Sequence, residues 1–175
     1  MTFNSIPEFS FPLIDGRDSE TIKALESALT THGFFTITDH GIDDDLLSSS
    51  YSMSKKFFEL MEPVKNIYAH PEMGGARGYT PFGKETALGE TTPDMKEFWH
   101  HGPVIDDSFD SRIVPNIDVV EIPEFNSQFD ELFDDLNILG MKVLSAIAVI
   151  LHKEPNFFDA WVTKGNSLLR LLHYP

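Results

Sequence analysis

The chain has 175 residues and a formal net charge of −15, because 28 aspartates and glutamates outnumber 13 lysines and arginines. This length allows one domain or slightly more, with a real apolar core. An acidic chain without a basic cluster lacks the attraction to phosphate that draws proteins to nucleic acids and anionic lipids, so we expect neither partner. The absence of cysteine excludes disulfides, zinc-thiolate sites and thiol nucleophiles.

The first seven residues lack the basic and apolar segments of a secretion signal, and no run of about 18 apolar residues occurs in the sequence. We therefore expect a cytoplasmic location.

The first elements alternate between predicted strands and helices. Residues 11–15 are expected to form a short strand. Asp18 can cap a helix whose apolar residues recur at three- and four-residue spacing. The β-branched and aromatic run 34–38 predicts a strand, and the acidic residues 43–45 can cap a second helix. The expected apolar face of that helix consists of Leu46, Ser50, Met53, Phe57 and Leu60 or Met61.

The remaining sequence predicts loops, one long helix and a last strand. Residues 71–103 contain six of the 11 glycines and four of the 11 prolines, which favours long loops with short strands. Over 123–153 apolar residues keep a helical period for about eight turns, so we expect the main core helix there. Residues 167–174 alternate like a strand. The expected buried stripe of the long helix includes Phe129, Leu136, Val143 and Ile147.

The chain stops inside this strand-like run. Natural domain ends usually trail off in polar residues, so we expect an incomplete polypeptide.

Without cysteine, a metal site has to use the seven histidines and the carboxylates. An iron-binding triad of two histidines and one carboxylate leaves the trace H-x-D or H-x-E, with another histidine far downstream. Two H-x-E matches occur, at His70 with Glu72 and at His152 with Glu154. We interpret both as exposed residues, because a chain rich in glutamate produces such matches by chance. One hypothesis left open is a self-contained metal site from His70, Glu72 and either His152 or His173.

Two short clusters near residue 100 favour structural roles. His100 and His101 are neighbours on a predicted strand and should point to opposite faces, so at most one can serve a given site. Lys96 lies between Asp94 and Glu97, which predicts a salt-bridged turn rather than an acid/base pair.

Five blocks, in chain order, carry a resemblance to a known family. They are Gly33 to Ile42 (GFFTITDHGI), Phe57 to Lys65 (FFELMEPVK), Arg77 to Glu85 (RGYTPFGKE), Asp94 to Glu97 (DMKE) and Leu168 to Pro175 (LLRLLHYP). Together they resemble the isopenicillin N synthase-like branch of the 2-oxoglutarate/Fe(II)-dependent dioxygenases.

The resemblance implies an α+β fold with a helical N-terminal region, a long core helix and the first strands of a double-stranded β-helix, or jelly roll, whose barrel is incomplete here. It divides the chain into an N-terminal dioxygenase-type region (1–122), the long helix with a short helix (123–165) and the first barrel strand (166–175). In the family, the iron ligands and the arginine that binds 2-oxoglutarate lie downstream of the last block. The resemblance therefore implies Fe(II) and 2-oxoglutarate for the complete enzyme, but no catalytic residue, metal ligand or cofactor for this chain alone.

Four substrate-binding residues also follow from the resemblance. Positions like Arg170 and Tyr174 face the substrate or the cosubstrate in family members. Arg77 and Tyr79 lie on a segment that borders the substrate pocket in relatives. An alternative is that Arg77 pairs with Glu85 or Glu90 while Tyr79 only packs.

Two functions are compared. The first is the N-terminal portion of an oxygenase that oxidises an unidentified small molecule and is inactive alone. The alternative is a standalone acidic protein-interaction module derived from the same fold. Besides the small-molecule substrate, expected partners are the missing C-terminal half or a second copy through residues 166–174, because an unpaired strand edge recruits other strands.

Overall fold

The computed structural model describes residues 5–86, 89 and 91–175. These residues cluster into two compact units. The first unit comprises Met1–Ile42 and Asp135–Thr163, and the second comprises Asp43–Asp134 and Lys164–Pro175. One long helix, Phe125–Ile150, contributes residues to both units. The division into three segments expected from the sequence stays a prediction.

The first unit begins with two strands that pair in parallel. Its elements are β1 (Glu8–Ser10), α1 (Phe11–Asp15), α2 (Ser19–Thr31) and β2 (Thr36–Thr38). The helices connect the strands, as parallel pairing requires a crossover. The predicted α2 is confirmed, and its cap is Asp18, whose carboxylate accepts a hydrogen bond from the Thr21 backbone N–H.

The strand predicted over residues 11–15 is wrong. These residues form α1, and the strand lies just before them as β1. Ser10 still has an extended backbone, whereas Pro12 stands in the first turn of the helix. The fixed φ of proline suits that first turn, where its missing N–H costs no helical hydrogen bond.

The core of the first unit is small and apolar. Ile14 and Leu25 are fully buried together with Ala146, and the rings of Phe9 and Phe35 meet edge to face at 5.7 Å. The partly buried residues around this core are Phe9, Ile22, Leu29, Phe35, Ile37 and Ile150.

The second unit combines helices with a three-stranded sheet. The remaining elements of the chain are α3 (Asp44–Phe58), α4 (Glu62–Lys65), β3 (Gly78–Thr80), β4 (Glu97–His101), α5 (Phe125–Ile150), α6 (Asp159–Val162) and β5 (Leu169–His173). The predicted α3 is confirmed, with Asp43 as its cap and the expected face buried from Leu46 to Phe57. The expected continuation of that face to Leu60 or Met61 is wrong, because α3 ends at Phe58 and Met61 is exposed. The predicted last strand is confirmed as β5, although it is shorter than expected.

The sheet is antiparallel in the order β3-β4-β5. Tyr79, Trp99 and Leu171 are directly opposite one another across the three strands. Gly78, His100 and Arg170 form the neighbouring row. Because successive residues of a strand alternate between faces, these two rows belong to opposite faces of the sheet. The described residues form two small sheets and no closed barrel, consistent with part of a jelly roll.

The buried face of the sheet packs on an aromatic cluster centred on Phe57. The ring of Phe57 is fully buried, and its centroid lies 4.9 to 6.0 Å from those of five other aromatic residues. These are Phe58, Tyr68, Tyr79, Trp99 and Phe125. Edge-to-face and tilted contacts of this kind stabilise a core beyond the burial of area alone.

The long helix α5 confirms the predicted period but only part of the predicted stripe. Phe129 is fully buried, whereas Leu136, Val143 and Ile147 are half-buried. The fully or nearly fully buried residues of α5 are Phe125, Phe129, Leu132, Phe133, Ala146 and Ala148. None of the described helices is both long enough and apolar enough to cross a membrane.

We predict that Phe129→Ala lowers the free energy of unfolding by about 3–5 kcal/mol, because a fully buried ring is replaced by a cavity. Ile138→Ala is the matched control, since Ile138 lies on the same helix and is 60% exposed. It should change stability by less than about 0.5 kcal/mol. Urea unfolding measures both variants, and equal effects would show that the buried face of α5 is wrongly assigned.

Candidate functional site

The four predicted substrate-binding residues lie on two faces of the sheet. Tyr79 lies on the buried face, and Arg77, two residues before it, is also buried. Arg170 lies on the opposite face, and Tyr174 follows the end of β5 with 62% of its surface exposed. The sheet therefore separates Arg77 and Tyr79 from Arg170 and Tyr174.

A buried carboxylate, that of Glu97, occupies the side of the sheet where Tyr79 lies. Lys65 Nζ donates to its Oε2 at 2.6 Å, and the Tyr79 hydroxyl donates to the same oxygen. The other oxygen, Oε1, lies 2.8 Å from His173 Nδ1. Lys65 also donates to the carbonyl of Phe58 at 3.0 Å. The Tyr79 hydroxyl is thus bound within the protein rather than presented to a ligand.

These contacts determine the protonation of the cluster. Burial alone raises the pKa of Glu97, but hydrogen bonds from Lys65, Tyr79 and His173 together outweigh burial and hold that pKa below its usual value. Burial, and then the hydrogen bond to Glu97, raise the pKa of the Tyr79 hydroxyl. Glu97 is therefore the ionised acceptor and Tyr79 the neutral donor.

Sequence reasoning missed this cluster, although Lys65 and Glu97 both stand in the quoted blocks. Nothing in the spacing of two residues 32 positions apart indicates that they touch. The sequence offered two indications. Lys65 follows a helix that contains aromatic residues, and Glu97 stands at the start of an apolar strand. Both types are rarely buried unless they are paired.

Arg77 is almost completely buried. Its Nη1 donates to the carbonyl of Ala76 at 2.7 Å, while Nε and Nη2 have no hydrogen-bond partner among the described residues. Its guanidinium lies directly against Gly102, where a Cβ atom has no room. Burial lowers the pKa of Arg77.

The alternative pairing of Arg77 with Glu85 is wrong for this structure. Glu85 instead contacts Lys96 at 2.7 Å and lies 3.6 Å from Nη1 of Arg170. Glu90, the other suggested partner, lies outside the described residues. The predicted salt-bridged turn is confirmed for Asp94, which lies 2.8 Å from Lys96, but it is wrong for Glu97, which is buried and pairs with Lys65 instead.

The adjacent histidines do point in opposite directions. His100 Nδ1 lies 2.6 Å from the carbonyl oxygen of Gly75, and its Nε2 accepts from Arg170 Nε at 2.5 Å. His101 is fully buried on the other side, with Nε2 2.7 Å from Asp130 Oδ1. No single ligand can therefore use both rings.

A cavity of about 500 Å³ lies in the second unit, within the range typical of small-molecule pockets. Arg77 and Tyr79 contribute to its lining, and its other polar or charged side chains include His70 and Lys84. Neither Arg170 nor Tyr174 lines this cavity. The full lining is Asn66, Ala69, His70, Pro71, Gly74, Gly75, Arg77, Tyr79, Thr80, Pro81 and Lys84.

The donor groups of the described residues do not form a site that fits an iron ion. Within residues 5–86, 89 and 91–175, no three histidine, aspartate or glutamate side chains come together as metal ligands. His70 Nδ1 lies 2.7 Å from Glu72, so the two groups bind each other. His173 is held by Glu97. The hypothesis of a self-contained metal site gains no support.

Comparison with known proteins identifies the family. Residues 6–118 match the family model described as the N-terminal region of the non-haem dioxygenase in morphine synthesis. The chain belongs to the isopenicillin N synthase-like 2-oxoglutarate/Fe(II)-dependent dioxygenases. The matched residues correspond to the N-terminal region of proteins in this family.

Individual relatives agree with this dioxygenase assignment. A 2-oxoglutarate-dependent dioxygenase of Didymella fabae is 30% identical over 169 residues, which cover 89% of this chain and 50% of that protein. The crystal structure of a full-length Neurospora crassa protein in complex with alpha-KG has a TM-score of 0.80 and 30% identity, covering 97% of this chain and 54% of that one. A Caulobacter crescentus protein assigned to the 2OG-Fe(II) oxygenase family has a TM-score of 0.79 and 37% identity, covering 98% and 56%. The chain spans about half the length of the curated dioxygenases that it matches.

We predict that Lys65→Met destabilises this dioxygenase region by about 3–5 kcal/mol, because it leaves the charge of Glu97 buried without its cation. Lys55→Met is the matched control, since the Lys55–Glu59 pair is exposed on both sides and 3.7 Å apart. The control should cost less than about 0.5 kcal/mol. Chemical unfolding at neutral pH compares the two, and similar losses would argue against the buried pair.

The Glu97 cluster also predicts a pH dependence. A folded-state pKa below the usual glutamate value of 4.5 stabilises the fold above that pH, and this stability is lost as the pH falls through the folded pKa. Glu97→Gln should therefore be less stable than the original protein at pH 7, with a difference that narrows below about pH 4.5. Thermal unfolding of both proteins across this range measures the difference. A gap that stays constant down to about pH 3 would contradict the assignment.

Proposed function

We propose that this chain is the N-terminal portion of a dioxygenase that couples conversion of 2-oxoglutarate to oxidation of a small molecule. The iron ligands would then come from residues outside these 175. The proposal is supported by the family match, by the half-length coverage of curated dioxygenases, and by a donor set that does not fit iron among the described residues. Fe(II) and 2-oxoglutarate would supply the oxidising chemistry in the complete enzyme.

The observation that carries the role of this chain is the open face of β5. Arg170 and Leu172 are exposed along it, and Tyr174 follows on the same face. The Arg170 guanidinium stands 4.5 Å from the ring centroid of Phe98 on the neighbouring strand. This face offers one cation beside apolar surface, an arrangement that suits a small molecule with an anionic group and an apolar body.

The role of the chain is therefore to bind and orient the small-molecule substrate. Arg170 would hold the substrate by charge and geometry, while the apolar side chains of the same face exclude water from its body. The same Neurospora crassa protein has been crystallised with alpha-KG and thymine, so one relative takes a small molecule together with 2-oxoglutarate. Fold alone does not name the substrate, because the same fold serves many reactions.

The test starts from the coding DNA downstream of the Pro175 codon. The longest in-frame product should bind Fe(II) stoichiometrically and form succinate from 2-oxoglutarate under oxygen, whereas the 175-residue chain should do neither. Omission of oxygen is the control, because oxidative decarboxylation of 2-oxoglutarate to succinate and CO2 requires it. An active, iron-loaded 175-residue chain would refute the proposal.

A stop codon directly after Pro175 would also count against the proposal. Together with a monomeric, cooperatively unfolding product, it would favour the protein-interaction module instead.

A further inference from the structure

The guanidinium of Arg170 makes two close contacts within its own protein. Its Nε donates to Nε2 of His100 at 2.5 Å, and its Cζ lies 4.5 Å from the ring centroid of Phe98. Nη1 is 3.6 Å from Glu85, too far for a good hydrogen bond. The side chain as a whole remains 38% exposed. A long side chain is thus held at Nε and Cζ while more than a third of its surface stays accessible.

The partners of His100 allow only one form of its ring. The carbonyl oxygen of Gly75 can only accept, so Nδ1, at 2.6 Å from it, must carry a proton. The Nε–H of Arg170 can only donate, so Nε2 of His100 must present its lone pair. Together these contacts require a neutral imidazole protonated at Nδ1.

Burial favours the same state. Removal of the ring from water lowers the pKa of His100, and the nearby cations Arg170 and Arg77 lower it further against the opposing effects of Gly75 and Glu85. The neutral ring and its carbonyl partner form a fixed hydrogen-bond acceptor for the arginine.

We propose that His100 is a positioning residue that aims the two terminal nitrogens of Arg170 at a carboxylate group of the ligand. Two parallel N–H groups of a guanidinium match the two oxygens of a carboxylate, and this match depends on the orientation of the plane. His100 fixes the Nε edge and Phe98 lies against Cζ, while no described residue makes a hydrogen bond to Nη1 or Nη2. The ligand carboxylate would bind at this terminal edge, where Glu85 lies 3.6 Å from Nη1. The inference deepens the proposed function by assigning a carboxylate-bearing substrate, and in that part it rests on it.

The first test measures the tautomer in the 175-residue protein. Two-dimensional NMR with long-range ¹H–¹⁵N couplings distinguishes a ring protonated at Nδ1 from one protonated at Nε2. We expect the Nδ1–H form for His100, together with an Arg170 Nε–H resonance that is slow to exchange with water. A ring protonated at Nε2, or a doubly protonated ring at neutral pH, would overturn the proposal.

The second test uses two amide replacements that separate the two ring nitrogens. His100→Gln places a possible acceptor near the position of Nε2, whereas His100→Asn keeps a donor for Gly75 and loses the acceptor for Arg170. We expect the slow Arg170 Nε–H resonance to persist in the glutamine variant and to be lost in the asparagine variant. Persistence in both would show that His100 does not position Arg170.

The third test measures whether the site binds a carboxylate. Benzoate is the probe, and benzamide is its neutral control. Benzoate should shift the Arg170 resonance, and His100→Asn should weaken this binding roughly tenfold while His100→Gln keeps it near the original value. Arg170→Gln should abolish it. Equal binding of benzoate and benzamide, or no binding of either, would overturn the carboxylate assignment.

These outcomes are independent of the dioxygenase test. A failure to form succinate in the longer product would leave the tautomer and the benzoate result unchanged. An Nε2–H tautomer would overturn the role of His100 without affecting 2-oxoglutarate turnover.

Discussion

The second unit depends on one buried carboxylate that three groups share. Glu97 is 1% exposed, and an ionised carboxylate at that depth is stable only when its lost hydration is replaced. Lys65, Tyr79 and His173 provide the replacement, and they come from α4, β3 and β5. Each partner satisfies part of the same charge, so the loss of one weakens the position of the others. The carboxylate thereby joins all three strands to the helix beside them.

This anchor fixes which face of the sheet carries Arg170. Side chains alternate between the two faces along a strand. Because Glu97 on β4 points to the buried face, Phe98 and His100 lie on the other face. The same alternation on β5 turns His173 inward and Arg170 outward. A buried carboxylate on the opposite face of the sheet thus helps determine where the guanidinium lies. A one-residue slip of β5 would place Arg170 against the aromatic core and expose His173.

Much of the fold could be predicted from the sequence because its causes are local. The caps Asp18 and Asp43 and the helical period of α3 indicate those helices directly. The short segment at 11–15 was mispredicted because its apolar run resembles a strand, while Pro12 in the first turn favours a helix instead.

The candidate site was harder to predict, since its contacts are long-range. Spacing could place Arg170 and Tyr174 on one strand face, but it could not show that Arg77 and Tyr79 lie on the other side of the sheet. The pair of Arg170 with His100 joins residues 70 positions apart. The roles of the four predicted substrate-binding residues stay predictions, with Arg170 now the best supported by its geometry.

The charge around Arg170 bears on how the proposed anion site would work in an acidic chain. Lys96 and Arg170 lie beside Glu85, and Lys96 also contacts Asp94, so this cluster is close to neutral. Because His100 is neutral, it adds no charge. Long-range attraction therefore contributes little, and recognition depends on the direction of the guanidinium nitrogens at short range. Such a site would discriminate between ligands by the shape of their anionic group. An anion whose oxygens do not align with the guanidinium N–H groups would bind weakly, because the surrounding cluster is close to neutral.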